Sequence, residues 1–309
     1  MGQSGEQNVT DHFDRWPFPG EDFSAREGLQ LVRFLSARLN ESDEGAGISP
    51  RIIDVGCGTG HTVLALARVF PDVAFVGFDI STKSLEIARR TAKERAIENI
   101  TFEHGDLTQT MARLGQFQVV LSLGVLHHIA NRDPAFSNLV QLTANGGCLC
   151  LWLYGCYGRM RHNLNQKFLR SLSAGLSSPE RLSVANEFLS DLGEKFADGT
   201  GFYTPRGSGK GGIAFLQGRP QWLADQMIPA FEDPVSLGDI LALFETNNLD
   251  FHKWLGVPTR LQTYTSSSIL LEQFEKLPSR ERLLAIDYLL KPEYYLVAGE
   301  KLAESGERK

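Results

Sequence analysis

Apolar positions in this chain follow two alternating registers, and the sharpest change between them lies between Ile52 and Phe70. Ile52, Ile53 and Val55 form a short apolar run of the kind that fills a strand buried on both faces. After a turn carrying Gly56, Gly58 and Gly60, the apolar residues Val63, Leu66, Ala67 and Phe70 recur at helical spacing until Pro71. The succession then repeats. VAFVGFD predicts a second strand ending at Asp79, Ser81 is placed to cap a helix over 81–95 with Leu85, Ala88 and Ala92 on one face, and 100–103 reads as a third strand. A short helix over 107–114, a strand over 117–123, a helix over about 134–143, a turn at Asn145, Gly146 and Gly147, and a strand over 148–154 follow. Five strands joined by crossovers predict a mostly parallel sheet, with ligand sites over the carboxyl ends of its strands.

From 155 to 233 the pattern becomes helical with little strand signal, and alternation resumes with a helix over 236–247, a strand over 250–255, a helical stretch over 265–290 and a last strand over 294–298. This divides the chain into an N-terminal lid or helical segment (1–50), a ligand-binding core (51–154), a helical cap insertion (155–233), and a C-terminal completion of the sheet with its own helical insertion (234–309). A cap inserted after the fifth strand rises above the ligand site, where it selects substrate. Within it, GSGKGG invites a phosphate-loop reading. Gly211 follows Lys210 where that motif needs Ser or Thr, and Thr204 stands at the first glycine, so the segment reads as an open loop.

The glycine turn carries the chemistry. Glycines at alternate positions let a ligand lie against main chain with no Cβ in the way, and Asp79, at the end of the next strand, can accept hydrogen bonds from ribose hydroxyls. His61 occupies the position where the dinucleotide fingerprint wants a third glycine. GxGxG preceded by Asp54 instead resembles motif I of the class I S-adenosylmethionine-dependent methyltransferases. Asp79 and Ile80 in GFDIS, HGDL at 104–107 and VVLSLGVLHHI match further segments of that family in the same order. The resemblance runs from about Arg51 to Tyr154 and resumes near the C-terminus. It implies an α/β, Rossmann-like, doubly wound seven-stranded sheet, mostly parallel with an antiparallel last strand, here with a helical cap.

The resemblance also implies S-adenosylmethionine as cofactor, S-adenosylhomocysteine as product and no metal. Gly56, Cys57, Gly58 and Gly60 would pack against its methionine and ribose parts, and Asp54 would orient the amino end. Asp79 with Ile80 would meet the ribose, Asp106 with Leu107 the adenine, and the backbone at Leu123 and Gly124 the methionine portion. Consecutive His127 and His128, at the end of VVLSLGVLHHI, point in different directions and make a poor metal pair. His128, just past the fourth strand, is the candidate base for removing a proton from an acceptor. Phe13 and Trp16 are candidates for an aromatic lid, and Tyr154, Tyr157 and Arg159, leaving the fifth strand, for the substrate pocket.

Enzymes that methylate exocyclic amines of nucleobases resemble one another in a [DNS]PP[YFW] turn after the fourth strand, and cytosine C5 enzymes in a Pro-Cys; SLGVLHHI has neither. With a net charge of −6 over 309 residues, this favours a small-molecule acceptor and no nucleic-acid partner. A protein or RNA acceptor, and a silent cofactor-binding partner subunit, are the alternatives. Arg159, Arg161, Lys167 and Arg170 form a local basic cluster that reads as a solvated helix face. The polar N-terminus lacks a signal core, and runs such as CLCLWLY are too short to span a bilayer, so the expectation is a cytoplasmic protein with no membrane partner. Cys57, Cys148, Cys150 and Cys156 show no CxxC spacing and read as small packing residues in a reducing compartment.

Overall fold

The computed structural model describes residues 3–20, 28–42, 50–193 and 212–302. Two helices, α1 (Gln3–Arg15) and α2 (Gly28–Ser42), precede the sheet. Then come β1 (Arg51–Val55), α3 (His61–Val69), β2 (Ala74–Asp79), α4 (Thr82–Glu94), β3 (Ile100–His104), β4 (Phe117–Leu123), α5 (Arg132–Leu142) and β5 (Thr143–Tyr154). The helices α6 (Met160–Leu172) and α7 (Ser178–Asp191), with short helices Gly212–Gln217 and Pro220–Met227, separate β5 from the helix Leu237–Thr246 and β6 (Leu249–Trp254). Helices Ser268–Glu275 and Ser279–Leu290 then lead to β7 (Tyr294–Lys301).

The seven strands lie in the order β3-β2-β1-β4-β5-β7-β6, parallel except for β7, which runs antiparallel to both its neighbours. The pleat sends alternate side chains to opposite faces. Ile53 and Val55 therefore join Phe136 and Leu139 of α5 and Ile240 and Phe244 of helix Leu237–Thr246 on one side. Ile52 joins Leu35 of α2, Val63 and Leu66 of α3 and Leu85 of α4 on the other. Leu169, Ala185, Phe188, Leu189, Leu223 and Met227 make a third cluster, built from the helices that follow β5. Among the described residues, no helix is long and apolar enough to cross a membrane.

Three local expectations change. The stretch 107–114 is helical only as a 3₁₀ turn at Ala112–Leu114, because the Asp106 carboxylate accepts from Thr108 N and Oγ1, both at 2.8 Å, and holds the chain in a side-chain turn. β5 begins at Thr143, which pairs with Phe117, and the turn residues bulge before Cys148 takes up pairing with Val119. The stretch 265–290 divides into two helices at Pro278, whose ring cannot continue the first. The loop from Thr204 to Gly211, with Lys210, lies outside the described residues.

Candidate active site

The glycine turn is tied down from the β2 side. Gly56 N and Cys57 N both donate to the Phe78 carbonyl, at 2.7 and 3.0 Å, and Gly58 N donates to Asp79 Oδ2 at 2.7 Å. Ser81 N donates to Asp79 Oδ1 at 2.8 Å, so the carboxylate is held between the turn and the start of α4. Gly58 has φ +53°, and a Cβ there would run into the Phe18 carbonyl oxygen, which is why the turn admits no larger residue. Asp54, at the end of β1, is buried, and no group among the described residues hydrogen-bonds its Oδ1. Burial, and then the charge of Asp79, raise Asp54 to about 7, and burial raises Asp79 as well. Two carboxylates so placed favour a ligand that brings donors or positive charge.

The other expected cofactor residues border this turn and the neighbouring strand ends. Cys57 is buried, its thiol pushed well up by burial. The Ile80 carbonyl meets His104 Nε2 at 3.0 Å, and the Leu107 carbonyl accepts from Asn138 Nδ2 at 2.7 Å. Gly60 is the N-cap of α3 with φ 80°. Gly124, at φ +84° just beyond Leu123, donates its N–H to the Trp152 carbonyl at 2.9 Å.

Beside the turn, the helices after β5 bring polar side chains into the interior. His128 is buried; its Nδ1 lies 2.8 Å from the Phe231 carbonyl and its Nε2 stands 3.5 Å from Asp225 Oδ1. The carbonyl can only accept, so the neutral ring carries its proton on Nδ1 and a lone pair on Nε2. Tyr154 OH donates to Asp225 Oδ2 at 3.3 Å and accepts from Gln226 Nε2 at 2.7 Å. Arg159 Nη2 donates to both oxygens of Glu232, at 2.9 and 3.1 Å, while its guanidinium lies 3.5 Å from the centre of the Tyr154 ring. Gln166 Nε2, from α6, reaches the Gln226 carbonyl at 2.8 Å. Burial pushes His127 well below its ordinary value, and its ring packs 4.0 Å from Tyr154.

The N-terminal segment closes over both parts. Thr59 N donates to the Phe18 carbonyl at 3.1 Å, Thr59 Oγ1 to the Gly20 carbonyl at 3.2 Å, and Trp222 Nε1 to the Pro19 carbonyl at 3.1 Å. Ser81 Oγ donates to Asp14 Oδ1 at 2.7 Å. The Phe13 ring meets His128 edge-on at 5.7 Å, and Trp16 packs against the apolar cluster of the helices that follow β5. Of the residues expected to meet substrate, the structure thus brings Phe13 and Tyr154 to His128, and Trp16 to the adjoining helices. Arg159 is buried behind Tyr154 and neutralised by Glu232. Tyr157 does not join them: it is 40% exposed and packs on Tyr288 at 5.9 Å, because the chain turns outward before α6. Asp225, Gln226 and Glu232 escaped the sequence reading, as did Asp14. Asp225 and Gln226 signal themselves only as an acid and an amide interrupting the apolar run of helix Pro220–Met227, and Glu232, in the loop after it, and Asp14, on a polar helix, carry no such signal.

Residues 49–174 match the family model of a methyltransferase domain. The chain is 26% identical over 206 residues to an uncharacterised protein of Synechococcus, covering 62% of this chain and 48% of that one. It is 29% identical over 125 residues to ajmaline N-methyltransferase of Rauvolfia serpentina, covering 39% and 43%. A solved Rickettsia typhi protein, PKMT2 in complex with AdoHcy, superimposes with a TM-score of 0.67 at 13% identity, covering 94% of this chain and 56% of that one, a likeness of fold. The chain spans about half the length of the curated relatives it matches. The sheet order, the glycine turn with its paired acids, and the matched model identify residues 49–174 as a class I S-adenosylmethionine-dependent methyltransferase domain.

Proposed function

We propose that the protein transfers the methyl group of S-adenosylmethionine to an oxygen, nitrogen or carbon of a small metabolite. The observation that carries this reading is the double anchoring of residues 18–20, to the glycine turn through Thr59 and to the following helices through Trp222, which roofs the carboxyl edge of the sheet. A roofed site engulfs its acceptor and suits a small one. Residues 155–233 serve as the cap that selects it. The similarity to ajmaline N-methyltransferase, a small-molecule enzyme by its name, supports the same class of acceptor. The thiols of Cys57, Cys148 and Cys150 are buried among apolar side chains, which suits a reducing, cytoplasmic setting.

The residues present fit the cofactor. The unpartnered Asp54 oxygen suits its amino group, and Asp79, which spends one acceptor site of each oxygen on Gly58 N and Ser81 N, retains acceptor capacity for ribose hydroxyls. Asp106, Leu107 and Ile80 would border the adenosine, and Leu123 and Gly124 the methionine portion. When bound, S-adenosylmethionine supplies a methyl on a positive sulfur to a nucleophile approaching in line behind it. The chain's own contribution is position, exclusion of water and proton removal. Phe13 and Trp16 shield the reacting atoms, and aromatic faces favour positive charge. His128 Nε2 takes the proton of a hydroxyl or acidic carbon, and Asp225 beside it stabilises the imidazolium that results.

Thermal-shift screening of metabolites in the presence of S-adenosylhomocysteine, followed by turnover of each hit, tests this reading. Methylated product from a small hit supports it. Cofactor binding with turnover only on protein or RNA would replace it.

A further inference from the structure

The basic cluster read from sequence as one face is two. Arg159 turns inward to Glu232, whereas Arg161, Lys167 and Arg170 lie on the outer side of α6. Between them Met160, Leu164, Phe168 and Leu172 recur every fourth position and are 44–61% exposed, and Leu176 continues the line beyond the helix end. At about 100° per residue these four side chains fall within an arc of roughly 120°, with Lys167 and Arg170 on one side of it and Arg161 within its far edge. The ridge is about 18 Å long. No acidic residue occurs from Gly155 to Pro179, in a chain whose net charge is −6. The inner face of the helix is fully used: His162, Gln166 and Leu169 are buried, and Gln166 hydrogen-bonds Gln226 and Glu232.

An outward stripe of Met and Leu edged by Lys and Arg is the composition of a helix lying in a lipid interface, where aliphatic side chains enter the acyl boundary and basic stems reach back to headgroups. The absence of acids makes the face complementary to anionic lipid. We propose that the outer face of α6 docks the protein on an anionic membrane surface, with α6 lying in the interface plane and the roofed site one helix thickness away. This adds a lipid-surface partner to the proposed activity and does not depend on the acceptor.

The test is co-sedimentation of the full chain with vesicles of phosphatidylcholine alone or mixed with phosphatidylglycerol. Binding should appear on the mixed vesicles, fall as salt is raised, and drop about tenfold or more in Leu164→Glu and in the double variant Lys167→Glu, Arg170→Glu. Both variants should keep the native melting temperature and S-adenosylhomocysteine affinity, since these side chains lie outside the cofactor site. Absence of binding to mixed vesicles, or equal binding by wild type and folded variants, overturns the proposal. So does a dimer in solution that Leu164→Glu dissociates, which would assign the face to a second copy. Cofactor affinity is read separately, so failure here leaves the methyltransferase reading standing.

Discussion

His128 Nε2 stands 3.5 Å from Asp225 Oδ1, a core residue just past β4 facing an acid on helix Pro220–Met227. That distance exceeds an ordinary N–H···O hydrogen bond, so the nitrogen's lone pair is not committed, yet the carboxylate is near enough to stabilise a charge formed there. His128→Ala or His128→Asn should lower kcat by about 10²-fold or more with a hydroxyl or acidic-carbon acceptor, leaving S-adenosylhomocysteine affinity unchanged. Asp225→Asn should lower kcat by less and shift the pH–rate profile, since it removes only the stabilising charge. Near-normal turnover of the His128 variants across pH 6 to 9 would point to an amine acceptor or another base.

Asp79 fastens the site as well as facing its ligand. Loss of its carboxylate frees Gly58 N and Ser81 N together with any ribose contact. Asp79→Ala should weaken S-adenosylmethionine and S-adenosylhomocysteine by about 2–4 kcal/mol, the range for charge-assisted hydrogen bonds and the partners they leave behind. Titration calorimetry on the folded variant decides it, and an unchanged Kd removes Asp79 from the cofactor site.

Asp54 makes the stability of the ligand-free protein depend on pH. Folded, the acid keeps its proton up to about pH 7; unfolded, only up to its ordinary value of 3.8. Between these values the folded state binds more protons, so stability declines as pH rises through that window. At about 1.4 kcal/mol per pH unit, the ionised acid costs the fold about 4 kcal/mol. Asp54→Asn should therefore raise the apo Tm more at pH 8 than at pH 5 while weakening the cofactor. Equal Tm changes at the two pH values would contradict this.

The parts legible in sequence are those made by neighbours in the chain. β1, the glycine turn and Asp79 lie within one strand–turn–helix–strand unit, whose apolar spacing and glycines dictate the geometry directly, and the parallel sheet follows from repeating that unit. Asp225 and Trp222 were illegible because their meaning lies in distant partners: Trp222 Nε1 donates to a carbonyl 203 residues away. A buried acid on an amphipathic helix looks like any surface acid until its partner is known. Tyr157 and Arg159, two residues apart, fared differently for a local reason. Both lie in the turn that precedes α6, where the chain changes direction, so one points to solvent and the other inward.

The Arg159–Glu232 pair is almost wholly inaccessible, its side chains 0% and 1% exposed. Removing one partner leaves an unpaired buried charge, so Arg159→Met or Glu232→Leu alone should destabilise by about 3–5 kcal/mol. The double change should recover most of that loss. Denaturant unfolding of the three variants measures the coupling, and additive losses would show that the two side chains do not act as a pair.

His12 gives the N-terminal roof a pH dependence of the opposite sign. Burial, reinforced by His128 and Arg181, lowers it to about 4 from an ordinary value of 6.5. Below 6.5 the released segment takes up a proton that the docked segment refuses, so docking weakens as pH falls from about 6.5 towards 4 and is fully present above that window. Hydrogen exchange at residues 3–20 should therefore quicken, after correction for intrinsic rates, between pH 7 and pH 5. His12→Phe removes the titrating group and keeps an aromatic ring beside Phe13, so its corrected exchange should be flat over the same range. If wild type and variant accelerate alike, the roof is released by some other group, and His12 is only packing.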